Sequence, residues 1–173
     1  MPEFDVVDLG PASHPESGDD APEFTRPLVT DEFWADRAIS ELVGDAQAGG
    51  ETILVFTPMI GSFAATYVWS ELLERDWDER ADRVVGVTAS TPYAISDFLA
   101  DNDLPFDIFA DPANDVAEAY GIAHDLDGME GVDEPRLAVF AVDDDLTVTD
   151  AWVATDWPEF PDYDDLEARF DLA

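Results

Sequence analysis

The sequence contains no cysteine and no lysine. Without cysteine it can form no disulfide, offer no thiolate nucleophile and build no zinc site from cysteine ligands. All 7 basic residues are arginines, and 42 Asp and Glu residues oppose them, which gives a formal net charge of -35. A negative field of this size repels nucleic acid and anionic membranes. We therefore expect no nucleic-acid partner and no membrane association.

The surplus of acid has two interpretations. One is a property directed at a partner, such as mimicry of nucleic acid or capture of a basic protein. The other is adaptation to a saline cytoplasm, in which salt at about 1 M shortens the Debye length to about 3 Å and makes the self-repulsion tolerable. The acids are spread over all segments of the chain instead of forming one tail. That distribution favours saline adaptation.

Targeting and membrane signals are weak. The first ten residues, MPEFDVVDLG, have neither a basic nor an apolar region of a signal peptide, so we expect a cytoplasmic protein. The uncharged run from Thr52 to Ser70 approaches the length of a membrane span, but Pro58, Gly61 and Ser62 interrupt it. With 173 residues, 46% of them hydrophobic, the chain can bury a substantial core, and we expect one domain over residues 1–173.

The centre of the chain predicts a strand, a loop and a helix. Thr52 to Thr57 is apolar without alternation, as in a strand buried on both faces, and Pro58 to Gly61 ends it. A helix follows, with Phe63, Tyr67 and Val68 on its inner side. A loop between a central strand and a helix amino terminus often carries chemistry, because unpaired backbone N–H groups there stabilise an anion.

The flanking segments complete an α/β pattern. Before the centre we expect an edge strand at Phe4 to Leu9, an exposed connection at 10–22, a short strand at Glu23 to Val29, and a strand with a helical turn within Asp31 to Val43. After it we expect strands at Arg83 to Ala89, Phe106 to Ala110, Leu137 to Val142 and Val148 to Ala154. Helices start at Ser90 or Thr91, at Asp111 before Pro112, and at Asp164. This order predicts a thioredoxin-like fold, a central mixed β-sheet flanked by helices, with extra amino-terminal strands.

Two acidic loops are candidates for metal-binding sites. His124 lies among the acids Asp125, Asp127, Glu130, Asp133 and Glu134, which do not follow the order of a calcium loop. Asp143 to Asp145 read as the turn of a hairpin. In a chain this acidic such clusters follow from composition, so we expect no metal and no cofactor.

Several segments, taken together, resemble one family. They are GDDAPEFT at 18–25, ILVFTP at 53–58, VVGVTASTPYAISDFLADNDLPFDIFADP at 84–112, VAEAYGI at 116–122 and VFAVDDD at 139–145. Their order and spacing are similar to those of the peroxiredoxins of the alkyl hydroperoxide reductase and thiol-specific antioxidant family. The resemblance covers nearly the whole chain and implies the thioredoxin-like fold already expected.

The resemblance also implies where an active site would lie. The family pattern PxxxTxxC places its Pro at Pro58, its Thr at Ser62 and its peroxidatic Cys at Ala65, followed by Thr66. The family's distant Arg falls on Leu137; Arg136 precedes it and in a strand would point to the opposite face, unless a bulge or a cis peptide at Pro135 restores it. An alanine methyl group cannot attack a peroxide, so thiol peroxidase chemistry is excluded.

Three functions remain open. The first is a redox-inactive peroxiredoxin-like protein that acts by protein–protein interaction, as a homo-oligomer or paired with a peroxiredoxin paralogue. The second is an enzyme of altered chemistry that uses Ser62 and Arg136. The third is a module that binds a small anion or another ligand in the former peroxide pocket. Apolar residues around the lost nucleophile favour the first: Met59, Ile60, Phe63 and Ala64.

Overall fold

The computed structural model describes residues 6–45, 50–124 and 130–172. Its strands are β1 (Val7–Asp8), β2 (Thr25–Val29), β3 (Trp34–Ala38), β4 (Thr52–Thr57), β5 (Arg83–Thr88), β6 (Asp107–Ala110), β7 (Ala123–His124), β8 (Glu134–Pro135), β9 (Ala138–Val142), β10 (Val148–Val153) and β11 (Asp156–Trp157). Its helices are α1 (Ile39–Asp45), α2 (Phe63–Glu74), α3 (Trp77–Arg80), α4 (Pro92–Asp101), α5 (Asp115–Ala119) and α6 (Tyr163–Arg169). None of these helices is long and apolar enough to cross a membrane.

Seven strands form one mixed sheet in the order β10-β9-β4-β5-β6-β2-β3. The central strand β4 pairs parallel with β5 and antiparallel with β9, and all six of its residues are buried. Its alternate side chains enter two cores. Ile53 and Val55 face the core under α2, α4 and α6, whereas Leu54 and Phe56 face the core under α1 and α5. The predicted thioredoxin-like arrangement, a mixed sheet flanked by helices, is confirmed.

The inner face of α2 differs from the prediction. Its buried residues are Ala64, Ala65, Val68, Trp69 and Leu72. The prediction that Tyr67 faces inward is wrong, because its side chain is 45% exposed. The cap at Ser62 sets the phase of the helix, and the two adjacent alanines allow α2 to approach the sheet closely.

Trp69 and Gly86 meet where α2 crosses β5. A Cβ atom at Gly86 would overlap the Trp69 ring and lie 3.0 Å from Ile108 Cγ1. The absent side chain of Gly86 is therefore what allows the buried indole of Trp69 to lie against the sheet.

Two predicted helix caps are resolved differently. Thr91, not Ser90, caps α4, since its side chain accepts from Ala94 N. The prediction that Asp111 starts a helix with Pro112 is wrong: α5 begins at Asp115, after Asn114 in the left-handed region. Asp111 instead receives the Val116 N–H at 2.8 Å and so caps α5 from outside the helix.

The amino-terminal segment packs along the hairpin β9–β10. Within the described part of the predicted strand at Phe4 to Leu9, Val7–Asp8 form β1, which pairs with β11 outside the main sheet; Phe4 and Asp5 lie outside the described residues. Farther along, Gly18 N donates to Val148 O and Ala21 N donates to Leu146 O. Residues 16–20 are exposed, whereas Ala21 is buried.

Candidate functional site

The loop of residues 58–62 joins β4 to α2, and three side chains hold it. Thr88 Oγ1 donates to Pro58 O at 3.0 Å, and Ser90 Oγ accepts from Ile60 N at 2.9 Å. The buried carboxylate of Glu134 accepts from Met59 N at 2.7 Å. Two backbone N–H groups of the loop, those of Met59 and Ile60, are thereby bound to side chains of the protein itself.

The first turn of α2 places the remaining positions of the family pattern. Ser62 Oγ accepts from Ala65 N at 3.3 Å, the geometry of an N-cap. Thr66 Oγ1 donates to Ser62 O at 3.0 Å. Ala65 is 0% exposed, so the position at which the family carries its Cys is closed to solvent. The hydroxyls of Ser62 and Thr66 thus serve the local backbone.

Arg136 and Leu137 lie between β8 and β9, outside the strands of the main sheet, and both line one small cavity. Leu137 is buried in the core under α2 with Ala64 and Val68. Arg136 precedes β9 and is 8% exposed. Among the described residues the one cis peptide bond is Trp157–Pro158, so Pro135 provides none.

The guanidinium of Arg136 is held by main-chain oxygens. It donates to Gly10 O at 2.7 Å, to Ala154 O at 3.0 Å and to Leu9 O at 3.2 Å. Burial lowers the pKa of Arg136. The side chain reaches one small cavity, of about 10 Å³, whose wall also includes Pro58, Ala64 and Leu137. The cavity has room for about one water molecule and none for an organic substrate.

The acidic loops give one candidate cluster within the described residues. Ligand atoms of Asp143, Asp144 and Asp145 lie within 4.8 Å of one another. Asp143 Oδ1, however, accepts from Thr147 N at 2.9 Å, as in a hairpin turn. Asp125 and Asp127 of the other loop lie outside the described residues. His14 forms a hydrogen bond with Pro15 O at 2.8 Å.

Sequence reasoning missed an exposed aromatic surface beside the site. Phe63 and Tyr67 on α2 contact each other and Phe160, with ring centroids 6.0 to 6.4 Å apart. We call these three residues the α2 aromatic surface. Tyr67 and Phe160 are 45% and 37% exposed. The i,i+4 spacing of Phe63 and Tyr67 was visible in the sequence, but the same spacing is typical of a core face.

Comparisons with known proteins agree with this geometry. Peroxidoxin BcpB from Mycobacterium tuberculosis superposes with a TM-score of 0.69 at 20% identity, over 92% of this chain and 96% of that one. AhpC of the same organism gives 0.67 at 18% identity, over 90% and 96%. The reduced 2-Cys peroxiredoxin of Plasmodium vivax gives 0.72 at 16% identity, over 90% and 80%.

Those likenesses establish the fold. A search of curated protein sequences finds no match. The AhpC/TSA family model, in contrast, matches residues 17–151. The chain has the sheet, the site loop and the first turn of α2 expected for that family, and no cysteine. It therefore belongs to the AhpC/TSA family.

Proposed function

We propose that this protein is a non-catalytic member of its family that acts by binding protein partners, in the first place a second copy of itself. The observation that carries the proposal is the closed site. Ala65 is 0% exposed, Leu137 fills the position of the family's Arg, and the loop donors Met59 N and Ile60 N are occupied. A buried, apolar site with no nucleophile supports a protein that keeps the fold of its family without the family's reaction.

The structure gives the two alternative functions less support. An enzyme based on Ser62 needs a base within hydrogen-bond reach, and the hydrogen bond described for Ser62 Oγ is the one from Ala65 N. A ligand at the amino terminus of α2 would compete with Ser62 for that same N–H. Glu134 already accepts the hydrogen bond of the Met59 N–H, so that donor is not available to an anion.

The surface that we assign to self-association is the α2 aromatic surface. Beside it lies a groove of about 420 Å³, lined by Tyr67, Ser70, Glu71, Glu74, Phe160 and Tyr163. Aromatic rings and a groove therefore lie side by side, between α2 and the segment at 160–163. An interface around a two-fold axis requires such self-complementarity, because the rings of one copy must enter the groove of the other.

The sheet edges are poorer candidates for contact between copies. At edge strand β10, Asp150 Oδ1 accepts from Ala151 N at 2.8 Å, and Arg169 Nη2 donates to Ala151 O at 2.8 Å. Arg169 also forms an ion pair with Asp150 at 2.7 Å. Edge strand β3 carries the charged residues Asp36 and Arg37. Charged side chains on an edge oppose pairing with another strand.

Salt adaptation is the second part of the proposal. At a net charge of -35, two copies can approach only when salt screens their repulsion. Raising KCl from about 0.1 M to about 1 M shortens the Debye length from about 10 Å to about 3 Å. We expect the melting temperature and the self-association to rise together over this interval. A melting temperature that does not change would contradict the salt adaptation.

Sedimentation equilibrium in about 1 M KCl tests self-association. We expect a dimer for the wild type and a monomer for the double variant Tyr67→Ser/Phe160→Ser. Tyr93→Ser is the matched control, because Tyr93 is 72% exposed and lies on α4, away from the α2 aromatic surface. A wild-type monomer at every concentration would refute the dimer. A dimer that survives in the double variant would refute the assigned surface.

Pairing with a peroxiredoxin paralogue is tested by the same measurement. A purified family member that retains its cysteine is mixed with this protein in about 1 M KCl. A mixed complex that the double variant fails to form would extend the proposal to heteromeric pairing. Purified protein should consume no hydrogen peroxide with any thiol reductant, and turnover free of contaminants would refute the non-catalytic assignment.

A further inference from the structure

A second aromatic cluster lies where the turn before edge strand β3 meets the first turn of α4. The rings of Phe33 and Trp34 stack with their centroids 4.2 Å apart, and the centroids of Trp34 and Tyr93 lie 5.2 Å apart with the rings nearly perpendicular. Phe33 and Tyr93 are 65% and 72% exposed, whereas Trp34 is half-buried against the core under α4. We call these three residues the edge aromatic surface, which shares no residue with the α2 aromatic surface.

The backbone under the two exposed rings is held by hydrogen bonds. Thr30 Oγ1 accepts from Glu32 N at 3.3 Å and donates to Phe33 O at 3.1 Å, and Thr30 N donates to the same carbonyl oxygen at 2.8 Å. Tyr93 follows the Thr91 cap of α4 by two residues. Because both positions are fixed before a partner arrives, less conformational entropy is lost on binding.

A groove of about 210 Å³ adjoins the edge aromatic surface. Its wall includes Phe33 and Trp34 together with the carboxylate of Glu32 and the side chain of Arg37. Arg37 forms an ion pair with Glu41 at 3.1 Å, so its positive charge is already compensated. The carboxylate of Glu32 therefore leaves the groove with a negative character.

Further carboxylates surround the rings. Asp31 is exposed in the turn, Asp36 is exposed on β3, and Asp97 is exposed one helical turn after Tyr93 on α4. The face of an aromatic ring is itself negative, because of the quadrupole of its π-system. Exposed ring faces among carboxylates attract a cation that can also make apolar contact.

We propose that the edge aromatic surface binds an arginine-bearing segment of a different protein, with guanidinium groups stacked on Phe33 and Tyr93. A guanidinium is planar, stacks on aromatic rings, and is more weakly hydrated than an ammonium group. The surrounding carboxylates complement its charge, and the groove accommodates the neighbouring part of the segment. The inference rests on this local arrangement and not on the net charge of the chain, which salt at about 1 M screens.

A second copy of this chain does not fit the edge aromatic surface. Its net charge of -35 repels it, and it has only 7 arginines. Arg136 is buried, and Arg83 interacts electrostatically with Asp107 of its own chain. The others form ion pairs with carboxylates: Arg26, Arg37, Arg75, Arg80 and Arg169. The surface therefore belongs to a basic partner and is separate from the one assigned to self-association.

Fluorescence anisotropy of labelled peptides tests the proposal in about 1 M KCl, where general attraction between a cationic peptide and this chain is screened. One peptide alternates arginine with glycine, a second has lysine in place of arginine, and a third has citrulline, the neutral analogue of arginine. We expect the arginine peptide to bind at least about fivefold more tightly than the lysine peptide, and the citrulline peptide to bind most weakly. Equal affinity for arginine and lysine, or no binding of the arginine peptide, would overturn the proposal.

Variants of the full chain locate the binding. Phe33→Ser/Tyr93→Ser should weaken the arginine peptide by at least about tenfold. Tyr67→Ser/Phe160→Ser is the matched control, because it removes two rings of the α2 aromatic surface at the same net charge; it should bind the peptide as the wild type does. Unchanged affinity in Phe33→Ser/Tyr93→Ser would refute the surface.

Sedimentation equilibrium separates this proposal from self-association. Phe33→Ser/Tyr93→Ser should have the same oligomeric state as the wild type, whatever that state is. Loss of a dimer in this variant would assign the edge aromatic surface to a second copy and overturn the basic partner. The comparison of the peptides needs only the wild type, so it decides the proposal even if the variant does not fold.

Discussion

The two faces of α2 differ in which of their side chains are exposed to solvent. Its inner face, with Ala64, Ala65 and Val68, is closed against the sheet, although the family pattern places the reactive residue there. Its outer face carries Tyr67, which is 45% exposed, and the partly buried ring of Phe63. In most soluble proteins the aromatic side chains are buried and a functional position is accessible. On this helix the position of the family's nucleophile is closed, whereas an aromatic side chain is open to solvent.

The largest expected effect is on thiol reactivity. In Ala65→Cys the new thiol lies at a position that is 0% exposed, whereas in the matched variant Ala100→Cys it lies on the exposed side of α4. We expect a disulfide reagent to modify position 65 at least about 100-fold more slowly, because it must wait for local opening. Equal rates in the native protein would show that the site is open.

Ala65→Cys should also remain inactive as a peroxidase. The family's Arg position is Leu137, so no guanidinium at that position stabilises the new thiolate or holds a peroxide. Peroxide consumption measured with a thiol reductant checks this. Activity close to that of a cysteine-containing family member would show that the closed site is only one side chain away from function.

The next effect concerns the packing of the inner face. Gly86→Ala places a methyl group in the Trp69 ring, and we expect a loss of about 1–3 kcal/mol in the free energy of unfolding. Gly44→Ala is the control, since a Cβ there meets nothing within 4 Å and the position lies in α1. It should stabilise by about 0.5–1 kcal/mol. Urea unfolding in molar salt measures both; equal changes would contradict the close contact of Trp69 with β5.

A smaller effect concerns the carboxyl end of α2. Glu167 on α6 accepts from Trp77 Nε1 at 3.0 Å, from Arg80 Nη1 at 3.0 Å and from Arg75 Nη1 at 3.3 Å. Burial alone would raise the pKa of Glu167, but these hydrogen bonds together outweigh it and hold the pKa below its ordinary value. The stabilisation is therefore present above the unfolded pKa and is lost as the pH falls through the folded pKa.

We expect Glu167→Gln to cost about 1–2 kcal/mol at about pH 7, because the arginine partners are partly exposed. The cost should be smaller at about pH 3, below the ordinary pKa of a glutamate, because this stabilisation is lost progressively as the pH falls from the unfolded pKa towards the lowered folded pKa. Glu79→Gln, on the exposed side of α3, is the control and should change little at either pH. Urea unfolding of the three proteins at both pH values measures this. A cost that does not depend on pH would mean that the charge of Glu167 is not what holds α6 to α2.

The smallest effect is expected on the outer face. Tyr67→Ser should change the free energy of unfolding of the monomer by no more than about 0.5 kcal/mol, since the side chain is 45% exposed. The measurement is made at a protein concentration below that of dimer formation. A loss above about 2 kcal/mol would assign this ring to the core and abolish the contrast between the two faces.

Much of the fold could be predicted from local signals. β4 is an unbroken apolar run, and the hairpin β9–β10 is two apolar runs around three aspartates. The phase of α2 could not be predicted in the same way. Phe63 and Tyr67 have the spacing of a core face, but α2 turns Ala64, Ala65 and Val68 to the sheet, which leaves Tyr67 exposed and Phe63 only partly buried.

The position of the candidate site could be predicted from the sequence, but the contacts that hold its loop could not. The family pattern led to Pro58, Ser62 and Ala65, which the structure brings to one loop and one helix turn. No local pattern indicated that Glu134, 75 residues along the chain, binds the Met59 N–H. Contacts of this kind depend on tertiary packing, which a single sequence does not encode in any short window.

Arg136 lies one position before Leu137, the position of the family's arginine. This offset decides which mutations would restore the family's reaction. On the family pattern, a functional arginine is needed one position later, yet Leu137→Arg would bury a charge among Ala64 and Val68. Deleting Leu137 would bring the arginine to that position instead, but it would remove a buried side chain from the core under α2 and shorten the connection from β8 to β9. Each of these single steps therefore costs stability, and neither supplies the missing nucleophile at position 65. Recovery of the family's chemistry requires several simultaneous changes.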